Sequence, residues 1–196
     1  MTASAVLDER AESACRLINL TIGLHRMQVS RLGQDPGPSR LDAPDFDHLQ
    51  VLRQATVVRM LSIAESFCVD RLLEYAEREV APQESAVRTS IWAKASTSAV
   101  STWDGIKDSY KSWYDIRPEW EPLTQLVEVR NAIAHGLGEL TRLQRVRLES
   151  TLTKIAGAGV QVKESRIVLE EENLERTRTV CLTLIGEIDF GVQALA

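Results

Sequence analysis

Apolar residues recur at intervals of three and four along most of the chain, the period of helices that bury one face. Over residues 7–31 the recurring face is Ala14, Leu17, Ile18, Thr21, Leu24 and Gln28. Gly33-Gln34-Asp35-Pro36-Gly37-Pro38-Ser39 breaks the pattern, and residues 33–43 read as an exposed loop. Pro44, followed by Asp45 and Asp47, opens a second helix, because proline fits a first turn and acids suit its dipole. Leu49, Leu52, Leu61, Ala64, Phe67, Cys68 and Leu72 carry it to residue 78, a length suited to the spine of a bundle. Pro82 starts a shorter helix that ends near Ala95, and the cluster Ser96, Thr97, Ser98, Ser101, Thr102 predicts a turn. Trp103, Ile106, Tyr110 and Trp113 then repeat at helical spacing, and Arg117-Pro118 separates them from a helix over 119–135. A further helix covers 142–155, opened by the capping box Thr141-Arg142-Leu143-Gln144 and closed by Gly157-Ala158-Gly159. Val160, Val162, Ile167 and Leu169 alternate around Lys163-Glu164-Ser165, which predicts a small hairpin. The last helix spans 171–192, with Leu174, Cys181, Leu184 and Ile188 inward. The expected fold is an all-α helical bundle with a small β-hairpin before the final helix.

Composition narrows the class. At 196 residues the chain fits one domain with a substantial core, and 44% hydrophobic residues with only 10 Gly and 6 Pro point to an ordered chain. A net charge of −5 argues against a strong sequence-independent hold on nucleic acid, so any such contact must come from a local patch. Residues 126–156 carry +2, from Arg130, Arg142, Arg145, Arg147 and Lys154 against Glu128, Glu139 and Glu149, leaving −7 elsewhere. Cys15, Cys68 and Cys181 are far apart among apolar residues and read as buried thiols of a reducing compartment. Met1 to Val6 lacks the basic start and apolar run of a signal peptide, and no apolar stretch approaches the ~20 residues of a membrane span. The expected location is cytoplasmic.

The chemistry concentrates in Arg130-Asn131-Ala132-Ile133-Ala134-His135-Gly136. On a helical projection Leu123, Leu126, Val127, Ile133, Ala134 and Leu137 form one apolar stripe with Arg130 near its middle. A guanidinium there is costly unless it is paired or faces a ligand. Asn131 and His135 are four apart and share a flank of that stripe, and Gly136 and Gly138 are placed to end the helix. Taken singly, Arg130 and His135 read as a surface ion pair and a helix-terminal cation; together with Asn131 they read as a catalytic, or once-catalytic, set. Arg142 and Arg145, three apart on the following helix, are candidate phosphate contacts, with a solvated face as the plainer reading. Trp92, Trp103, Trp113 and Trp120 read as core or dimer anchors before base-stacking platforms. His25 and His48 have no carboxylate or cysteine at ligand spacing, so neither a metal site nor a cofactor is expected. Walker, HExxH and GxSxG patterns are absent.

The string RNAIAHG, with a Trp-bearing helix before it and a capped helix after it, resembles the signature of the HEPN superfamily. The resemblance is firm over about residues 100–195 and only architectural over 1–99, which would add further bundle helices to a single domain spanning 1–196. It implies a metal-independent endoribonuclease in which two motif helices face each other across a two-fold axis, with Arg130, Asn131 and His135 in a composite cleft. It further implies RNA as substrate, a homodimer, and control by an antitoxin or other regulatory protein, as in toxin or phage-defence systems. A non-catalytic interaction or nucleotide-binding module is the alternative from a different class.

Overall fold

The computed structural model describes residues 6–34, 47–80 and 86–195. These form α1 (Glu9–Gln34), α2 (His48–Val80), α3 (Ala86–Val100), α4 (Trp103–Tyr114), α5 (Glu121–Gly136), α6 (Arg142–Val146), α7 (Leu148–Gly157), β1 (Gln161–Lys163), β2 (Arg166–Val168) and α8 (Glu171–Gln193). The architecture is an all-α bundle with one antiparallel hairpin before the last helix. Among the described residues no helix is long and apolar enough to cross a membrane.

The long helices α1, α2 and α8 pack pairwise on one another, α4 rests on α2, and α5 is held by α2, α7 and α8. One continuous core runs through them, with Ile18, Met60, Leu72, Ile106, Leu126, Leu174 and Ile185 buried. Burying such side chains contributes roughly 1.5–3 kcal/mol each. Asp8 caps α1 by accepting the Ala11 amide at 2.8 Å. The fully buried Asp189 of α8 accepts the Asp8 amide at 3.0 Å and the Gln193 side chain at 2.7 Å. Its other oxygen pairs with Arg71 of α2 at 3.0 Å, and Arg71 also reaches Asp8 at 2.8 Å. This network fastens three helices at one end of the bundle. Cys68 and Cys181 are buried thiols, with burial pushing Cys181 up to about 12, whereas Cys15 is only half-buried.

Several boundaries differ from the pattern. Gly33 and Gln34 belong to the last turn of α1 rather than to a loop, since a glycine is tolerated where a helix ends. The rest of that loop, the helix starts at Pro44 and Asp45, and the start at Pro82 lie outside the described residues. Asp47 caps α2, accepting the Gln50 amide at 3.0 Å. The buried face of α1 is Ala11, Ala14, Ile18, Ile22 and His25, while Leu17, Leu24 and Gln28 are exposed. Two adjacent stripes are nearly as apolar, and contact with α2 and α8 selects the one carrying Ile22. Helix α3 continues through Ser96 and Thr97, whose hydroxyls bond back to the Ala93 carbonyl instead of competing for a turn. The turn begins only at Ser101, and Thr102 caps α4 through the Gly105 amide at 3.0 Å.

The region 142–155 is two helices, broken at Arg147 with φ −109° and ψ 39°. The hairpin pairs Val162 with Ile167 around Glu164 and Ser165, both left-handed (φ 50° and 72°), the conformation a two-residue hairpin turn requires. It also holds the chain leaving α5. The Ile167 amide donates to the Gly138 carbonyl and the Leu140 amide to the Ser165 carbonyl, each at 2.8 Å.

Candidate active site

Helix α5 starts with Pro122 in its first turn and ends through Leu137, whose φ of 55° turns the chain. The glycines therefore do not end the helix alone: Gly136 is its last helical residue, and Gly138 (φ +88°) follows the turn. A Cβ on Gly138 would lie 2.9 Å from the Gln54 amide, so the tail fits closely against α2.

The buried residues of α5 are Leu123, Leu126, Glu128, Val129 and Ala132. The apolar stripe expected from the sequence is thus rotated. Ala134 is exposed and Leu137 is 94% exposed, so Arg130 is not at the centre of a buried face. It sits half-buried at the margin between core and solvent, lining a cleft of about 500 Å³. Asn131 and His135 line the same cleft. Arg130 Nη1 donates to His135 Nε2 at 3.0 Å and to Asn131 Oδ1 at 3.3 Å. Guanidinium only donates, so Nε2 carries the ring's lone pair in this arrangement and the ring proton is on Nδ1. The three motif side chains form one hydrogen-bonded group, with His135 exposed to solvent.

The remaining wall comes from α4, α7 and the α6–α7 break. Lys107 and Trp103 line it from α4, Lys154 from α7 and Arg147 from the break, with Glu65, Asp104 and Glu128 as the acids. Glu128 is buried and accepts the Gln144 side-chain amide at 3.0 Å, with Lys154 at 3.5 Å from its other oxygen. Gln144 also donates to the Glu128 carbonyl at 2.8 Å and accepts the Thr141 amide at 3.0 Å. The capping box of α6 therefore doubles as the clamp that fixes α6 against the motif helix.

Arg142 and Arg145 are exposed on α6 and do not line the cleft. The cations that do are Lys107, Arg147 and Lys154 beside Arg130. Lys107 lies one helical turn from Trp103, a spacing visible in the sequence; no glycine or proline marks the break that brings the exposed Arg147 to the cleft's edge. Trp103 and Trp120 are half-buried at the cleft and Trp92 lies tilted against the partly exposed Trp113 with ring centroids 6.2 Å apart, so the four tryptophans do not share one role. His25 is buried between α1, α2 and α8. Its Nδ1 is hydrogen-bonded to Thr56 Oγ1 at 3.1 Å, its Nε2 is 3.4 Å from Glu171, and burial holds its pKa below the ordinary histidine value. Among the described residues no three metal-ligating side chains gather at one point. A larger groove of about 790 Å³ lies between α1 and α2, but opposed charges such as Arg59, Asp70 and Glu77 line it without a histidine. Comparison with protein-family models, with curated proteins and with solved structures found no match.

Proposed function

We propose that this protein is an endoribonuclease of the HEPN type that cleaves RNA by general acid–base chemistry without metal. The observation that carries the reading is the solvent-exposed Arg130–His135 contact of 3.0 Å lining the cleft. A nuclease of this kind needs no nucleophile of its own, because the RNA 2′-hydroxyl attacks the adjacent phosphorus. The new 2′-O–P bond forms, the P–O5′ bond breaks, and a 2′,3′-cyclic phosphate results. His135 Nε2, with its lone pair available, accepts the 2′-hydroxyl proton. Arg130 leaves the imidazole for the phosphoryl oxygens, where its planar fork binds two at once and stabilises their added charge. Asn131 orients Arg130 through its side-chain oxygen.

The departing 5′-oxygen needs a proton, and α5 carries only one histidine. We assign that proton to the same histidine on a second copy, which makes the working unit a homodimer with a composite cleft. Arg142 and Arg145, outside the cleft, suit phosphates of a longer strand. The protein would act in the cytoplasm as a toxin or phage-defence effector, with an antitoxin or other regulatory partner holding it in check. A non-catalytic module retaining the motif for shape would close the motif helix against neighbouring side chains; the exposure of His135 favours the catalytic reading.

End-group analysis of cleaved RNA tests the route. The expected products carry 2′,3′-cyclic phosphate and 5′-hydroxyl ends and form equally with and without a chelator. Products with 5′-phosphate ends, or cleavage that EDTA abolishes and magnesium restores, would overturn it.

A further inference from the structure

Two basic side chains in the cleft have no role in the motif group. Lys107 is half-buried on α4, and Arg147 stands at the α6–α7 break. Neither makes a side-chain hydrogen bond or ion pair among the described residues. They differ in this from the other two cations of the cleft. Lys154 is tied to Glu128 and Arg130 to His135 and Asn131. The segment Arg142-Leu143-Gln144-Arg145-Val146-Arg147-Leu148 contains no glycine or proline, yet the helix interrupts at Arg147, an exposed residue that lines the cleft. Trp103 lies one turn before Lys107 on α4, half-buried, with part of its ring against the core and part lining the cleft.

We propose that Lys107 and Arg147 form a phosphate clamp, one cation from each of two elements, that holds a single strand across the Arg130–His135 pair with a base stacked on Trp103. The cleft's size agrees. About 500 Å³ on one chain is room for one or two nucleotides of an extended strand. The acids Glu65 and Asp104 in the same walls keep the net charge low. Binding must then come from placed contacts rather than from a diffuse field, which fits a chain of net charge −5. Stacking supplies the sequence-tolerant part of the affinity, as an aromatic face does for any base. The clamp rests on the nuclease reading for its substrate.

Binding can be measured apart from cleavage. The full-length His135→Ala protein serves as parent, titrated by fluorescence anisotropy with a labelled single-stranded RNA of about eight nucleotides at several salt concentrations. Lys107→Met and Arg147→Met should each weaken binding about five- to tenfold at low salt and lower the salt slope by about 0.7. Trp103→Leu, which keeps an apolar contact with the core, should weaken it about tenfold without changing the slope. Lys163→Met on the hairpin should do nothing, and a duplex of the same length should bind at least tenfold more weakly. If Arg147→Met fails to fold, Arg147→Gln removes the same charge and should show the same loss of affinity and slope. Variants that bind like the parent with an unchanged slope, or a parent that does not bind the single strand, would overturn the clamp. Cleavage is scored separately with the natural sequence. Normal cleavage with unaltered variant binding sinks the clamp alone, whereas clamped binding without cleavage sinks the nuclease reading alone.

Discussion

Arg130 sits half-buried on α5, between residues that face the core and residues that face solvent. The sequence places it inside an apolar stripe; the structure places it at the edge of one. Leu123, Leu126, Val129 and Ala132 face the core, each three residues on. The projection instead followed Val127, Ala134 and Leu137, which are as apolar but turn toward the cleft or solvent. On a helix with apolar residues around more than half its circumference, period alone does not settle phase. Only the contacts of α5 with α2, α7 and α8 do. The sequence singled out Arg130, Asn131 and His135 as a set, and that set shares one cleft because positions i, i+1 and i+5 are joined by a long, flexible arginine. Arg130 makes no ion pair among the described residues, and its side-chain partners lie within the motif. Arg130→Met should therefore leave the melting temperature unchanged or slightly raised while abolishing RNA cleavage. Thermal unfolding beside a cleavage assay checks this. A loss of ~3–5 kcal/mol, the cost of orphaning a buried partner, with cleavage intact would remove Arg130 from the active site.

At the scale of elements, the helices and the hairpin follow from period, capping and turn chemistry, and the capping box at Thr141–Gln144 is present as written. What the pattern lacked was tertiary. Nothing local marks the break at Arg147, and nothing local links Asp8, Arg71 and Asp189, which lie far apart in the chain and meet only when α1, α2 and α8 assemble. The second role of Gln144 was hidden in the same way. Its amide satisfies the buried carboxylate and carbonyl of Glu128 on the motif helix. Gln144→Leu keeps the bulk but removes both bonds and half of the capping box. It should destabilise the fold by roughly 2 kcal/mol, lowering Tm by about 4–8 °C. Because α6 then loosens from α5, RNA cleavage should fall more than stability alone requires. Calorimetry and a cleavage assay at a temperature where the variant remains folded would show both; an unchanged Tm would mean that the clamp contributes nothing.

For the whole molecule, one cleft among the described residues holds a histidine and an arginine in contact, His135 and Arg130. Chemistry that needs an acid and a base then calls for two chains. Light scattering should give a homodimer at micromolar concentration, and a monomer retaining full cleavage activity would rule out the composite site. Its two-fold axis would pair α5 with α5, so that the same surface patch meets itself. The claim beneath all of these is that His135 works on RNA. Purified wild-type and His135→Ala proteins, each shown to be folded, are incubated with total RNA in EDTA and the products resolved by size. Fragmentation by the wild type and intact RNA with His135→Ala is the expected result; fragmentation by both, or by neither, would contradict it.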